Sequence, residues 1–202
     1  MRPLTLALPL ALLAACSSFN KEYEVIDASA KSFPDWVALP EAAATGKDAE
    51  KFRYFADHSD NAVQRLCEQG AQARATAKIA AEIAAFITHN YAEATENDGT
   101  TPQVYTQEAL AKQVQTHVVG SQVAATYWEK RAYLKDKGAA EDKKEYACFA
   151  VMRIERSLLD KAVNAGISKF VQGISNAGAK EKALANLTAA SPAFVNGSAG
   201  NE

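Results

Sequence analysis

The chain has 202 residues, a formal net charge of -2 and a sequence pI near 6.0. That length suits one principal domain, and the near-neutral balance excludes the basic character of a nucleic-acid binder. Apolar residues make up 48% of the chain, but much of that share is alanine. Alanine favours helix and adds little core volume, so a helix-rich domain with a modest core is expected.

Met1-Arg2 forms a short positive start, and Leu4 to Leu13 is almost wholly apolar. A run this short, about half of the ~20 residues a spanning helix needs, reads as a signal-peptide core. Leu13-Ala14-Ala15-Cys16 follows. This resembles the bacterial lipoprotein signal, in which such a quartet ends on a cysteine that carries a diacylglycerol on its sulfur. The resemblance implies cleavage before Cys16 and lipidation of Cys16. The other reading is an ordinary secretory signal with an incidental cysteine. Several acyl chains on one residue give durable anchoring, at ~0.8 kcal/mol per buried CH₂. Ser17 stands where an aspartate would imply retention at the inner membrane, so the resemblance points to an outer-membrane anchor facing the periplasm.

Residues 16–50 read as a tether and an extended segment, with Pro34 and Pro40 excluding helix from "SFPDWVALP". A single domain is expected over 51–190, with a disordered tail over 191–202. "KFRYFADHS" partly alternates and suits a first strand. Asp60 or Asn61 is a natural helix cap, with Gln64 three residues after Asn61.

From Asn61 to about Thr95 the apolar pattern is the strongest in the chain. Val63, Leu66, Gly70, Ala73, Ala77, Ala80, Ala84, Ile87 and Tyr91 recur at alternating three- and four-residue steps, which is one helical face. Its middle is all glycine and alanine, so a partner surface approaches closely. That partner is the domain's own sheet or, at the distal end, a second helix in an oligomer. At ~1.5 Å per residue the helix is roughly 50 Å long, more than a small sheet covers. "TENDGTTP" stops it.

Thr106 to Gln115 suits a short helix. "HVVGSQVAATYWEKR" reads as a strand with Val119, Val123, Ala125 and Tyr127 on one face and a bulge at Gly120. "LKDKGAAEDKKE" is a charged hairpin loop, and "EYACFAVMRIE" is a strand with two apolar faces, hence central. A helix follows from Glu155 to about Asn176, and Lys180 to Leu187 adds one or two helical turns. The first strand and its neighbour, joined through the long helix, need a crossover.

Three stretches together resemble the Lpp-twenty family of bacterial membrane-associated lipoproteins, which includes flagellum-associated outer-membrane lipoproteins. They are "PDWV" at Pro34 to Val37, "ARATAKIAAEI" at Ala73 to Ile83, and the pair "ATYWEK" and "YACFAVMRI". A glycine-rich turn after the first strand, part of the family pattern, is absent here. The resemblance implies an α+β fold: a small dodecin-like β-α-β-β sheet crossed by one long helix, plus a C-terminal helix. It implies no enzymatic activity, and an assembly role in the envelope or at the flagellar base.

Residues with chemistry are few. "DHSD" at Asp57 to Asp60 holds triad residue types, but consecutive strand residues point to opposite faces and do not converge. His58, His89 and His117 lack metal-ligand spacing, and no phosphate-cradling glycine loop is present. No catalytic, cofactor or metal residue is expected. Cys67 and Cys148 remain after Cys16; an oxidising compartment invites a disulfide between them, with two buried thiols as the alternative. The hairpin region holds Lys130, Arg131, Lys135, Lys137, Lys143 and Lys144 among four acidic residues. It reads as a solvated loop, with contact to peptidoglycan or a membrane surface as the second reading.

The expectation is a non-enzymatic, lipid-anchored envelope protein. Its partners would be the membrane and either a homo-oligomer or an envelope protein complex, with no nucleic acid and no cofactor. The alternative is a periplasmic ligand- or glycan-binding lipoprotein using a sheet face around Trp128 and Phe149.

Overall fold

The computed structural model describes residues 22–95 and 106–197. Its architecture is α+β: a four-stranded antiparallel sheet, one long helix across it and further helices, the last at the C-terminus. In chain order these are β1 (Tyr23–Ala28), α1 (Asp48–Lys51), β2 (Phe52–Asn61), α2 (Gln64–Thr95), α3 (Gln107–Gln115), β3 (Gln122–Tyr133), β4 (Lys143–Glu155), α4 (Arg156–Gln172) and α5 (Ala177–Asn196). The sheet order is β1-β3-β4-β2. β2 and β3, joined through α2 and α3, are therefore not neighbours. Both run antiparallel to β4, which lies between them. The crossover spans one strand, because β4, joined to β3 by a hairpin, takes the place next to β2.

The alternation written into β4 sets two faces. Cys148, Ala150, Met152 and Ile154 lie in the main core under the helices, while Val151 packs with Phe52, Tyr54 and Ala56 on the other side. β2 matches this register, Phe55 opposite Met152 and Ala56 opposite Val151.

Three boundaries differ from the sequence reading. The stretch read as tether contains β1, which pairs with β3 from Tyr23 opposite Tyr133 to Ala28 opposite Glu129. Its six residues are exposed or half-buried, so no apolar period announces it. Residues 34–51 are not simply extended: short 3-10 turns form at Asp35–Val37 and Pro40–Ala43, and Trp36, Ala43 and Ala44 pack on the second face of the sheet. Helix α5 extends to Asn196, into the expected tail over 191–202, and ends at the Gly197 cap. Phe194 stacks on Phe86 at 4.8 Å. The Arg53 guanidinium donates to the Phe194 carbonyl, and Arg156 donates to the Val195 carbonyl at 2.9 Å. Basic side chains thus satisfy carbonyls that a helix end leaves open. The bulge in β3 falls between Val123 and Ala125 rather than at Gly120. Gly120 precedes the strand at φ +78°, where a Cβ would also meet Leu158 at 2.6 Å. The helix-stopping stretch after Thr95 lies outside the described residues.

Asn61, the last residue of β2, accepts from the Val63 N–H at 2.9 Å, a side-chain turn just ahead of α2 rather than the helix cap expected there. The fully or nearly buried ridge of α2 is Cys67, Ala71, Ala75, Ile79, Ile83, Ile87 and Tyr91. Each is four residues after the last. Four residues are 400° of helix, so the ridge turns by about 40° per step and by roughly 240° in all. The first half of α2 thus faces the sheet. The second half faces α3, α4 and α5, with Ile83 and Ile87, and Val114 of α3, around Gly166 of α4 and Tyr91 against Phe170 at 4.9 Å.

Candidate functional site

The seam expected on α2 is corrected by this winding. Ala80, Ala84, Ile87 and Tyr91 are buried, but beneath helices of the same chain, so the distal end is not free for a partner. Val63 is 53% and Leu66 47% exposed; Ala73 and Ala77 are also exposed, and Gly70 is half-buried. The straight three-and-four face is not the contact; Cys67, Ala71 and Ala75 are the buried positions from Val63 to Ala77. Gly70 lies close against the sheet: a Cβ there would lie 2.6 Å from the Ser59 hydroxyl oxygen.

Cys67 of α2 and Cys148 of β4 are joined by a disulfide that spans 81 residues of sequence, with both residues fully buried. It fastens the start of the long helix to a central strand. Two further side chains hold the same helix to the sheet edge. Lys78 Nζ donates to the Ala56 carbonyl at 2.9 Å, and Arg74 Nη1 to the His58 carbonyl at 3.3 Å. Both carbonyls belong to edge strand β2, so one helix face occupies hydrogen-bonding groups that would otherwise template another strand.

The second sheet face carries a polar and aromatic cluster that the sequence reading passed over. Tyr127, Glu129 and Arg131 are two apart on β3 and share that face. Glu129 is only 4% exposed. Its carboxylate accepts from the Tyr127 hydroxyl at 3.1 Å and from Arg131 Nε at 2.6 Å. Burial and the adjacent carboxylate push the Tyr127 phenol up to about 12. The Arg131 guanidinium lies 4.2 Å over the Tyr23 ring, so the cluster also pins edge strand β1. The i, i+2, i+4 pattern Tyr-Glu-Arg was the available signal.

Beside this cluster, a cleft of about 150 Å³ opens between residues 36–37 and the β2 edge. Trp36, Asp57, His58, Lys78 and Phe149 line it. The His58 ring stacks on Phe149 at 5.8 Å, and Phe33 meets Phe149 edge-on at 5.3 Å. Trp128 does not join them. It pairs with Cys148 while Phe149 pairs with Tyr127, so Trp128 and Phe149 point to opposite faces and the face expected around both does not exist.

No family model, curated protein or solved structure matches this chain. Its function is therefore read from its own residues.

In "DHSD" the strand alternation separates the groups. His58 stacks on the second face, whereas Ser59 is buried beneath Gly70 of α2. His58 Nδ1 is 3.6 Å from its neighbour Asp57. Among the described residues no group of three or more His, Cys, Asp or Glu side chains could hold a metal ion. No helix among them is long and apolar enough to cross a membrane. A shallower cleft of about 430 Å³ lies between α3 and α4, lined by Lys112, His117 and Lys169 among others. Cys16 lies outside the described residues.

Proposed function

We propose that this chain is a lipid-anchored envelope protein whose domain serves a structural, assembling role, held at the outer membrane through Cys16. The observation that carries the assembling role is the uncovered proximal stripe of α2. Val63, Leu66, Ala73 and Ala77 present an apolar strip to solvent on a helix locked to the sheet by the disulfide. A rigid, small-residue strip suits close helix packing against another copy or an envelope partner. The flagellar base is one location in keeping with the resemblance noted above. The test compares wild-type and Cys16→Ala cells labelled with a palmitate analogue, and sizes the purified chain by light scattering. Label lost in the variant and a mass above the monomer support the proposal. Unlabelled wild type removes the anchor, and a monomer unchanged by Leu66→Lys removes the assembly.

A second reading rests on the Trp36, His58 and Phe149 cleft. Aromatic faces beside a carboxylate and an ammonium suit a sugar ring or another small polar ligand. Titration with cell-wall glycan fragments, read by Trp36 fluorescence, tests it. No change at saturating fragment removes it.

A further inference from the structure

Only seven residue steps separate Cys16 from Tyr23, the first residue of β1. A chain extends at most ~3.3–3.6 Å per residue, so the thiol of Cys16 lies within about 25 Å of the start of that strand. Tyr23 sits at one end of the molecule. It pairs with Tyr133, and Tyr133 pairs with Lys143 across the β3–β4 hairpin. From there β4 runs thirteen residues to Glu155, about 40 Å at ~3.3 Å per residue. Helix α4 starts at the far end and continues alongside α2 until Phe170 meets Tyr91. The turn from α4 to α5 is therefore the end farthest from the anchor.

The near end carries a tyrosine pair among mixed charges. The Tyr23 and Tyr133 rings meet at 5.4 Å, with Lys143 Nζ 5.0 Å over Tyr133. Tyrosine is favoured where one end of a ring is apolar and the other wet. Lys137 is paired with Glu24, and Lys143 with Glu145. Lys135 and Lys144 are exposed, and so are Asp136, Glu141 and Asp142, so the short reach of the anchor and the tyrosine pair, not a basic charge, point this end at the bilayer.

We propose that the domain stands end-on, with the β3–β4 hairpin and the Tyr23–Tyr133 pair seated on the bilayer headgroups and the α4–α5 turn projecting away. This deepens the lipid-anchor reading and rests on it. It would present the α2 stripe sideways, to neighbours in the plane of the membrane.

The test uses the full, lipidated chain in vesicles of phosphatidylethanolamine and phosphatidylglycerol carrying a headgroup spin label. A single cysteine, Ala140→Cys in the hairpin or Ser175→Cys in the far turn, carries a fluorophore. The expected result is at least a twofold loss of emission at position 140 and none at 175. Loss at both positions means the domain lies flat, and loss at neither means the hairpin does not touch lipid; either overturns the proposal. Flotation with the vesicles is scored first, against Cys16→Ser. Wild type that does not float fails the anchor itself, and the orientation falls with it. Wild type that floats without the quenching pattern fails the orientation alone.

Discussion

Removing the Cys67–Cys148 bond should be among the most destabilising changes available to this chain. The bond closes a separation of 81 residues. Chain-entropy arithmetic for a loop of that size gives about 15 cal/mol/K, or roughly 4.5 kcal/mol at 25 °C, as the stabilisation from restricting the unfolded chain. Domains of ordinary stability have only about 5–15 kcal/mol in total. The double variant Cys67→Ala/Cys148→Ala, prepared as the mature chain from Ser17 in an oxidising compartment, should lose between about 3 and 5 kcal/mol in urea unfolding. With a slope near 2 kcal/mol/M, that moves the midpoint down by roughly 2 M. Either single variant should lose about as much as the double one, because each abolishes the same bond. Wild type in reductant should follow once its buried sulfurs are reduced. A loss below about 1 kcal/mol in the double variant would refute the loop-entropy reasoning. Two alkylatable thiols in the unreduced native protein would refute the bond itself.

The winding of α2 separates two substitutions that a straight seam treats alike. Ala84→Leu enters a fully buried position and should cost about 1–3 kcal/mol by overpacking, whereas the exposed Ala77→Leu should stay within about 0.5 kcal/mol; equal losses in urea unfolding would contradict the described phase. Arg74→Ala with Lys78→Ala frees two carbonyls of edge strand β2, so time-resolved light scattering should show faster aggregation than wild type at equal concentration. A third prediction concerns alkaline pH. The Tyr127 phenol is raised from 10.0 to about 12 in the folded chain, so between those values the unfolded chain releases its proton first and stability falls as pH rises. Wild type should lose more stability over that window than Tyr127→Phe, and a slope identical in both would remove Glu129 and burial as the cause.

Much of the fold was legible because local period and tertiary environment agree in it. β4 has two apolar faces and is central. β2 alternates and lies where its alternation demands, and α2 begins and runs close to its pattern. The misreadings share one physical cause, namely that burial follows the partner rather than the sequence face. β1 is an edge strand with no buried side, so only its pairing to β3 reveals it. The tail carrying Ser191 and Pro192 is helical because Phe194 has Phe86 to stack on and two arginines to satisfy its last carbonyls.

The site divides along the same line. The amino-acid order by itself determined the anchor-like quartet ending in Cys16, the cysteine count that invites pairing, and the residue types at every later contact. Those are covalent and local properties, readable without neighbours. Only the tertiary structure decided which face of α2 is covered, since a ridge of four-residue steps turns with each step and its partners change from sheet to helices. It alone set Trp36, from a segment expected to be extended, beside His58 and Phe149. It alone buried Glu129 between Tyr127 and Arg131, because the covering segment and the β1 edge come from sequence about a hundred residues away.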